Sequence, residues 1–164
     1  MSFPTGRRTM KGLELLRLNN IIKGLHKVRI LVIGDLMLDE FIWGKVSRIS
    51  PEAPVPVVWV NSESVMPGGA CNVANNIRAL GGTAALSGVV GDDRRGEILM
   101  DELGKRGVDT ASVIRDSGRP TIVKTRVIAH NQQVVRIDRE KVAALGDNII
   151  ASIVTAARER IELI

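Results

Sequence analysis

A repeated alternation of short apolar runs with helix-like stretches most restricts what this chain can fold into. "KVRILVIGD" (27–35) is a brief run of branched residues ending in Gly-Asp, the pattern of a strand buried in a parallel sheet. "TAALSGVV" (83–90) and "ASVIR" (111–115) are the second and third such runs. Between them, residues 70–80 place Val73, Ile77 and Leu80 on one helical face, and Gly81-Gly82 stops that helix. Residues 91–107 predict a second helix opened by an aspartate cap, with Ile98, Leu99 and Leu103 inward and Gly107 at its end. Strand, helix, strand, helix, strand in this order predicts an α/β fold around a parallel sheet.

The remaining segments decorate that frame. Residues 1–9 read as a loose basic leader, and Leu15, Leu18, Ile22 and Leu25 predict an amphipathic helix over 10–26 that packs on the body of the domain. "EFIWGKV" (40–46) and "VPVVWV" (55–60) read as two exposed strands, and the prolines of "SRISPEAP" between them predict a loop. "TIVKTRVIAH" (121–130) and "QVVRID" (133–138) alternate and predict a hairpin. Residues 147–164 predict a last helix with Ile149, Ile153 and Ala156 on one stripe.

Composition excludes several functions. A chain of 164 residues with 45% hydrophobic and 25% charged residues is long enough for one sizeable core. No apolar run approaches the length of a membrane span, which predicts a cytoplasmic protein with no membrane partner. The single cysteine, Cys71, has no internal disulfide partner, and His26 and His130 lack metal-ligand spacing, so no metal site is expected. Cys71 reads as a small packing residue. The net charge of +5 gathers at the N-terminus, where Arg7, Arg8, Lys11, Arg17, Lys23, Lys27 and Arg29 face only Glu14. With Phe3, Phe41, Trp43 and Trp59 as the only aromatic residues, a nucleic-acid partner is not expected.

"VMPGGACNVANNIRALGGTAALSGVVGDD" (65–93) carries the chemistry. A glycine pair before a helix brings backbone amides close to a bound group, and the helix start favours hydroxyls or anions. Asn72 in the first turn can both donate and accept hydrogen bonds. The same residues also fit a tight turn at Gly68-Gly69 with Asn72 as a cap, and both readings stay open on the residues alone. Asp92 and Asp93 read as helix caps.

The full set of stations, Gly68-Gly69, Asn72, Ala74, Gly81 and Gly91, resembles the N-terminal signature of the ribokinase-like, or PfkB, carbohydrate kinases. At about 7% glycine usage, four fixed glycines arise by chance about twice in 100,000 starting points. The resemblance implies the N-terminal part of a Rossmann-type three-layer α/β fold with a small β-sheet lid, the lid segments lying at about 40–60 and 120–139. It also implies that Asp39, five residues after Gly34, holds sugar hydroxyls; read alone, Asp39 is equally an exposed loop acid. "GDLMLDEFIWGKVSRISPEAPVPVV" and "NQQVVRIDRE" are similar to the subgroup that phosphorylates heptose 7-phosphate for lipopolysaccharide precursors. That similarity implies a sugar phosphate as substrate, transfer of the ATP γ-phosphoryl to the anomeric hydroxyl, and a homodimer through the lid.

A phosphorylated sugar needs cations, and the lid segments offer Arg48, Lys124, Arg126 and Arg136, of which Lys124 and Arg136 are the preferred candidates. The substrate set is therefore Asp39, Gly68, Gly69, Asn72, Lys124 and Arg136. Phosphoryl transfer also needs a base, a phosphate cradle and Mg²⁺. In the family these belong to the C-terminal half, marked by a Gly-Ala-Gly-Asp turn that residues 1–164 do not contain. No catalytic, ATP-binding or metal residue is assigned here, and the chain is expected to be the sugar-binding portion, 10–164, of a longer kinase and inactive alone. A non-catalytic sugar-binding or dimerisation module, or a kinase for another sugar, are the alternatives. A dinucleotide oxidoreductase fails because no G-x-G-x-x-G follows the first strand.

Overall fold

The computed structural model describes residues 12–163; the leader expected at 1–9 lies outside them. In chain order the elements are α1 (Gly12–Gly24), one turn of 3-10 helix (Leu25–Lys27), β1 (Arg29–Ile33), β2 (Leu36–Ile49), β3 (Pro56–Gly69), α2 (Ala70–Ala79), β4 (Thr83–Gly91) and α3 (Arg94–Lys105). They continue with β5 (Asp109–Asp116), β6 (Ile122–Ala129), β7 (Gln132–Arg139) and α4 (Asp147–Glu162). The three apolar runs form a parallel sheet of order β1-β4-β5, and β3-β2-β6-β7 form a separate lid sheet. The α/β alternation read from the sequence is thus realised.

Strand periodicity sorts the layers. Ala84, Leu86 and Val90 of β4 pack with Cys71 and Ala74 of α2 and with Leu99 and Leu103 of α3 in one buried cluster. The opposite face of the sheet meets α4, where Ser112 Oγ donates to the Ala156 carbonyl at 3.3 Å. Helices on both faces of a parallel sheet give the three layers expected.

Two expected helix faces are corrected. Of the face expected for α2, Ile77 packs against the core, but Val73 and the C-cap Leu80 are exposed at 50% and 63%, while Cys71 and Ala74 are wholly buried. Small side chains let this helix lie close against the small Ala84 of β4, which turns the larger residues outward. Helix α1 forms, but Leu15, Leu18 and Ile22 of its apolar stripe are exposed rather than packed on the body of the domain. Two strands also run longer than their sequence signal, because β2 and β3 pair from Leu36↔Gly69 to Ile49↔Pro56 and leave only residues 50–55 as connector. Pro56 sits at the first position of β3, on the sheet edge where a missing N–H costs no ladder bond.

The Gly91 station serves packing. A side chain there would strike the carbonyl of Arg119 at 2.7 Å, so the bare backbone lets the segment leading into β6 pass alongside. Asp93 secures the crossing: its Oδ1 accepts from the Gly96 amide at 2.8 Å as the α3 cap, and its Oδ2 accepts from the Thr121 amide at 2.9 Å. Thr121 Oγ1 adds a bond to Asp93 Oδ1 at 2.8 Å. Asp92 does not cap; it faces Arg115 at 3.7 Å.

β1 reads as a doubly buried strand, yet it is the sheet's edge and leaves Ile30 and Ile33 exposed at 37% and 55%. The chain's accessible surface is 11306 Å². A compact monomer of this length exposes about 8,000 Å². Granting the residues outside 12–163 the full exposure of an unfolded chain, about 1,900 Å², leaves an excess on the order of 1,400 Å². That is the scale of one side of an extensive interface.

Burial alone would raise the Asp93 carboxyl, but the amides of Thr121 and Gly96 and the Thr121 hydroxyl outweigh it and hold it below the usual value of 3.8. A group depressed on folding stabilises the fold above its unfolded pKa and loses that contribution as the pH falls through its folded one. Asp93→Asn should therefore cost about 1–2 kcal/mol in urea unfolding at pH 7. The gap to wild type should narrow as the pH is lowered from 5 to below 3, and a pH-independent gap would contradict this account.

Candidate functional site

β2 leaves the core directly after β1, and its alternation divides the lid. Leu36 and Leu38 point into the core and are buried, whereas Met37, Asp39, Phe41 and Trp43 share the other face. Across β3, Met37 pairs with Gly68 and Leu36 with Gly69, so the base of the lid meets the start of α2. A methyl group on Gly68 would lie 2.6 Å from Asp39 Oδ2 and 2.9 Å from Met37 Cγ. The Asp39 carboxylate thus rests on bare backbone. Gly69 has φ +54°, in the left-handed region that favours glycine, and the next amide, Ala70 N–H, donates to the Asp35 carbonyl at 3.0 Å.

Asn72 occupies the exposed first turn of α2, and no side chain caps that helix. The cap reading of Asn72 is therefore set aside; among the described residues its amide has no hydrogen-bond partner.

The cations follow from the pairing of β6. Lys124 stands beside Asp39 in the parallel register, and β7 places Arg136 opposite Arg126 and Asp138 opposite Lys124. Lys124 Nζ donates to Asp138 Oδ2 at 3.1 Å, and Arg136 grips the same carboxylate with Nε at 2.8 Å and Nη2 at 3.0 Å. Hydrogen bonds from Arg136 and then Lys124 hold the Asp138 carboxyl below its usual range. Arg126 is joined to Asp39 instead, Nη1 to Oδ1, at 2.6 Å. One lid face therefore gathers Asp39, Lys124, Arg126, Arg136 and Asp138. Arg48 stands nine residues up β2 from Asp39, on the order of 30 Å by strand rise, toward the lid tip.

Of the sequence-predicted residues, Asp39 and Gly68 touch, Gly69 adjoins them, and Lys124 shares their face. Arg136 joins through Asp138, and Asn72 stands at the helix start below. The larger concavities lie elsewhere. One of 410 Å³ borders Gly34, Asp35, Gly88 and Arg119 at the carboxyl ends of β1 and β4, and one of 380 Å³ lies under the opposite lid face beside Glu40, Arg95 and Arg139.

The second concavity contains a strut that sequence reasoning missed. Glu40 Oε1 accepts from Arg95 Nε of α3 at 3.2 Å, and its Oε2 accepts from Thr125 Oγ1 of β6 at 2.7 Å. Arg139 Nη1 donates to the same Thr125 oxygen at 3.2 Å. Glu40 therefore ties the lid to a core helix. The only sequence signal was its place in β2 next to Asp39, which by strand alternation puts it on the reverse face.

Comparison with known proteins gives the family. The pattern of the pfkB family carbohydrate kinases matches residues 27–157. The chain belongs to the pfkB family of carbohydrate kinases. Within that family it is 47% identical over 148 residues to "Bifunctional protein HldE" of Geobacter metallireducens, covering 90% of this chain and 30% of the relative. It is 52% identical over 119 residues to the protein of that name from Geobacter sulfurreducens, covering 73% and 24%. The Helicobacter pylori protein of the same name is 48% identical over 134 residues, with 82% and 29% covered. The chain thus spans no more than 30% of the length of these three curated relatives. Among solved structures, Arabidopsis thaliana ribokinase complexed with ribose and ATP superposes with a TM-score of 0.57 at 17% identity, covering 76% of this chain and 41% of that one. A carbohydrate kinase from Agrobacterium tumefaciens gives 0.54 at 22%, covering 68% and 35%. These two likenesses establish the pfkB-type fold.

Cys71 adjoins this site yet is wholly buried, and burial pushes its thiol up to about 11. A neutral buried thiol packs and does not attack. Labelling with DTNB at pH 8 should be at least about tenfold slower in the folded protein than in guanidinium; equal rates would contradict this packing role.

Proposed function

We propose that this chain is the sugar-binding part of an ATP-dependent kinase that phosphorylates the anomeric hydroxyl of D-glycero-β-D-manno-heptose 7-phosphate. The product would feed ADP-heptose and lipopolysaccharide-core precursors in the cytoplasm. The observation that carries the reading is the placement of the Asp39 carboxylate on Gly68, above the open start of α2 and beside the lid cations. Membership of the pfkB family supports the sugar-kinase class, and the HldE relatives support a heptose as the sugar.

Each residue has a defined task. Asp39 Oδ2 accepts sugar hydroxyls, and Asn72, whose amide is unpartnered among the described residues, both donates and accepts. Gly68 and Gly69 keep Cβ atoms out of the sugar's way while the α2 start favours oxygen-rich groups. Lys124 and Arg136 exchange part of their grip on Asp138 for the ligand's own phosphate, a cation-to-oxyanion pairing of the same kind. Phe41 and Trp43 stack with ring centroids 6.1 Å apart, and Trp43 and Trp59 are exposed, which suits a homodimer through the lid.

Among the described residues no group of three or more His, Cys, Asp or Glu side chains converges as a metal would require. No residue here is assigned to Mg²⁺ or ATP. In this proposal the base, the phosphate cradle and the metal ligands come from further polypeptide, for which the uncovered edge of β1 and the excess surface leave room. A non-catalytic sugar-binding and dimerisation module is the second reading, favoured by the exposed aromatic residues of the lid.

Calorimetry with heptose 7-phosphate, run beside an ADP-release assay, tests the proposal. The chain should bind the sugar phosphate, Gly68→Ala should weaken binding at least about tenfold by displacing Asp39, and ATP should not be turned over. ADP release at the usual kinase rates of about 1–100 s⁻¹ would contradict the assignment of phosphate transfer to other polypeptide. Failure to bind the heptose with or without its phosphate would defeat the sugar reading.

A further inference from the structure

We infer that Arg126 is a positioning residue that acts on the sugar through Asp39 rather than by touching the ligand; this rests on the sugar reading of Asp39. Three restraints converge on its guanidinium. Nη1 donates to Asp39 Oδ1 at 2.6 Å, the same nitrogen reaches the Lys124 carbonyl at 3.3 Å, and Cζ lies 5.4 Å from the centroid of the Phe41 ring. Both members of the pair are largely covered, with side-chain exposures of 24% for Arg126 and 21% for Asp39. Arg136, by contrast, is 49% exposed and among the described residues bonds only to Asp138, so it can turn toward a ligand.

The arrangement divides the carboxylate. Oδ1 is taken by Arg126, and Oδ2 is the oxygen left against Gly68, where a ligand hydroxyl would arrive. A sugar ring is neutral. When it settles over Asp39 it removes water from a charged group and brings no countercharge, a step that is unfavourable unless the protein supplies one. Arg126 supplies that charge before the ligand arrives and holds Oδ1 in place. The sequence marks Arg126 only as one of several lid cations; the pairing across β2 and β6 separates it from Lys124 and Arg136.

The test compares Arg126→Met, Arg126→Lys and Asp39→Asn, and the Arg126→Met/Asp39→Asn double variant, in the full chain. Each is titrated calorimetrically with D-glycero-D-manno-heptose 7-phosphate and with the same heptose lacking phosphate. Arg126→Met should weaken both ligands by the same factor, about tenfold or more. Arg126→Lys should recover most of that loss, and the double variant should bind no worse than Asp39→Asn alone. A loss confined to the phosphorylated ligand would overturn the inference, because Arg126 would then be touching the phosphate; so would unchanged binding of both. If the wild-type chain binds neither sugar, the sugar reading fails and this inference with it. Thermal unfolding of the same variants tests the pair itself. Non-additive shifts support it, and additive shifts overturn the positioning role whatever the sugars show.

Discussion

The absence of Cβ atoms at residues 68 and 69 is the constraint on which the rest of the structure depends. At residue 68 the bare backbone admits the Asp39 carboxylate, and at residue 69 the left-handed backbone turns β3 into α2 against the Asp35 carbonyl. Because Leu36 pairs with Gly69 and Met37 with Gly68, the same two residues are the root of the lid, the exit of β1 and the entrance of a core helix. A side chain at residue 68 would strike Asp39 and Met37 of β2, and one at residue 69 would strike Met37 and the Asp35 carbonyl. Family membership and the placement of Asp39 meet at this turn.

Two sets of contacts fix the lid relative to the core. Asp93 and Thr121, crossing over Gly91, fasten the segment that leads into β6 to the start of α3. Glu40 fastens the middle of the lid to Arg95 further along the same helix. Both use carboxylates with more than one donor each, which holds direction as well as distance. The Asp39 face is turned away from the Glu40 strut by strand alternation, so the anchor and the face proposed for the sugar lie on opposite sides of β2. Against these anchored parts stands the uncovered side of β1, whose apolar sequence suits a strand flanked on both edges.

Much of this was legible in the sequence because local rules agreed with the tertiary structure. The three apolar runs became the parallel sheet, the aspartate and glycine signals bounded α3, and His130-Asn131 made the turn of the β6-β7 hairpin with φ of 51° and 61°. The α2 face was read only in part: Ile77 packs on the core, but periodicity ranks residues by size, whereas close helix-to-sheet packing selected Cys71 and Ala74 over Val73 and Leu80. Helix α1 forms where it was expected, but the packing of its apolar stripe on the domain was misread, because a sequence does not state what covers such a face. The lid cations needed register. Counting back from the turn would set Lys124 opposite Ile137, and the bulge between Val127 and Ile128 moves it opposite Asp138, exchanging one face of β7 for the other. Pro67 and Gly68 are buried beside Asp39, a proximity that follows only from the β2-β3 pairing.

The central claim is that the Gly68-Gly69 turn, the start of α2 and the Asp39 carboxylate form one surface for a carbohydrate. Amide NMR of the chain during titration with heptose 7-phosphate addresses it most directly. The account predicts that the resonances of Asp39, Gly68, Gly69 and Asn72 move together along one saturating curve, while those of the β4-β5 core stay still. Saturable shifts confined to the 410 Å³ concavity beside Gly34, Gly88 and Arg119, with the glycine turn unmoved, would contradict it.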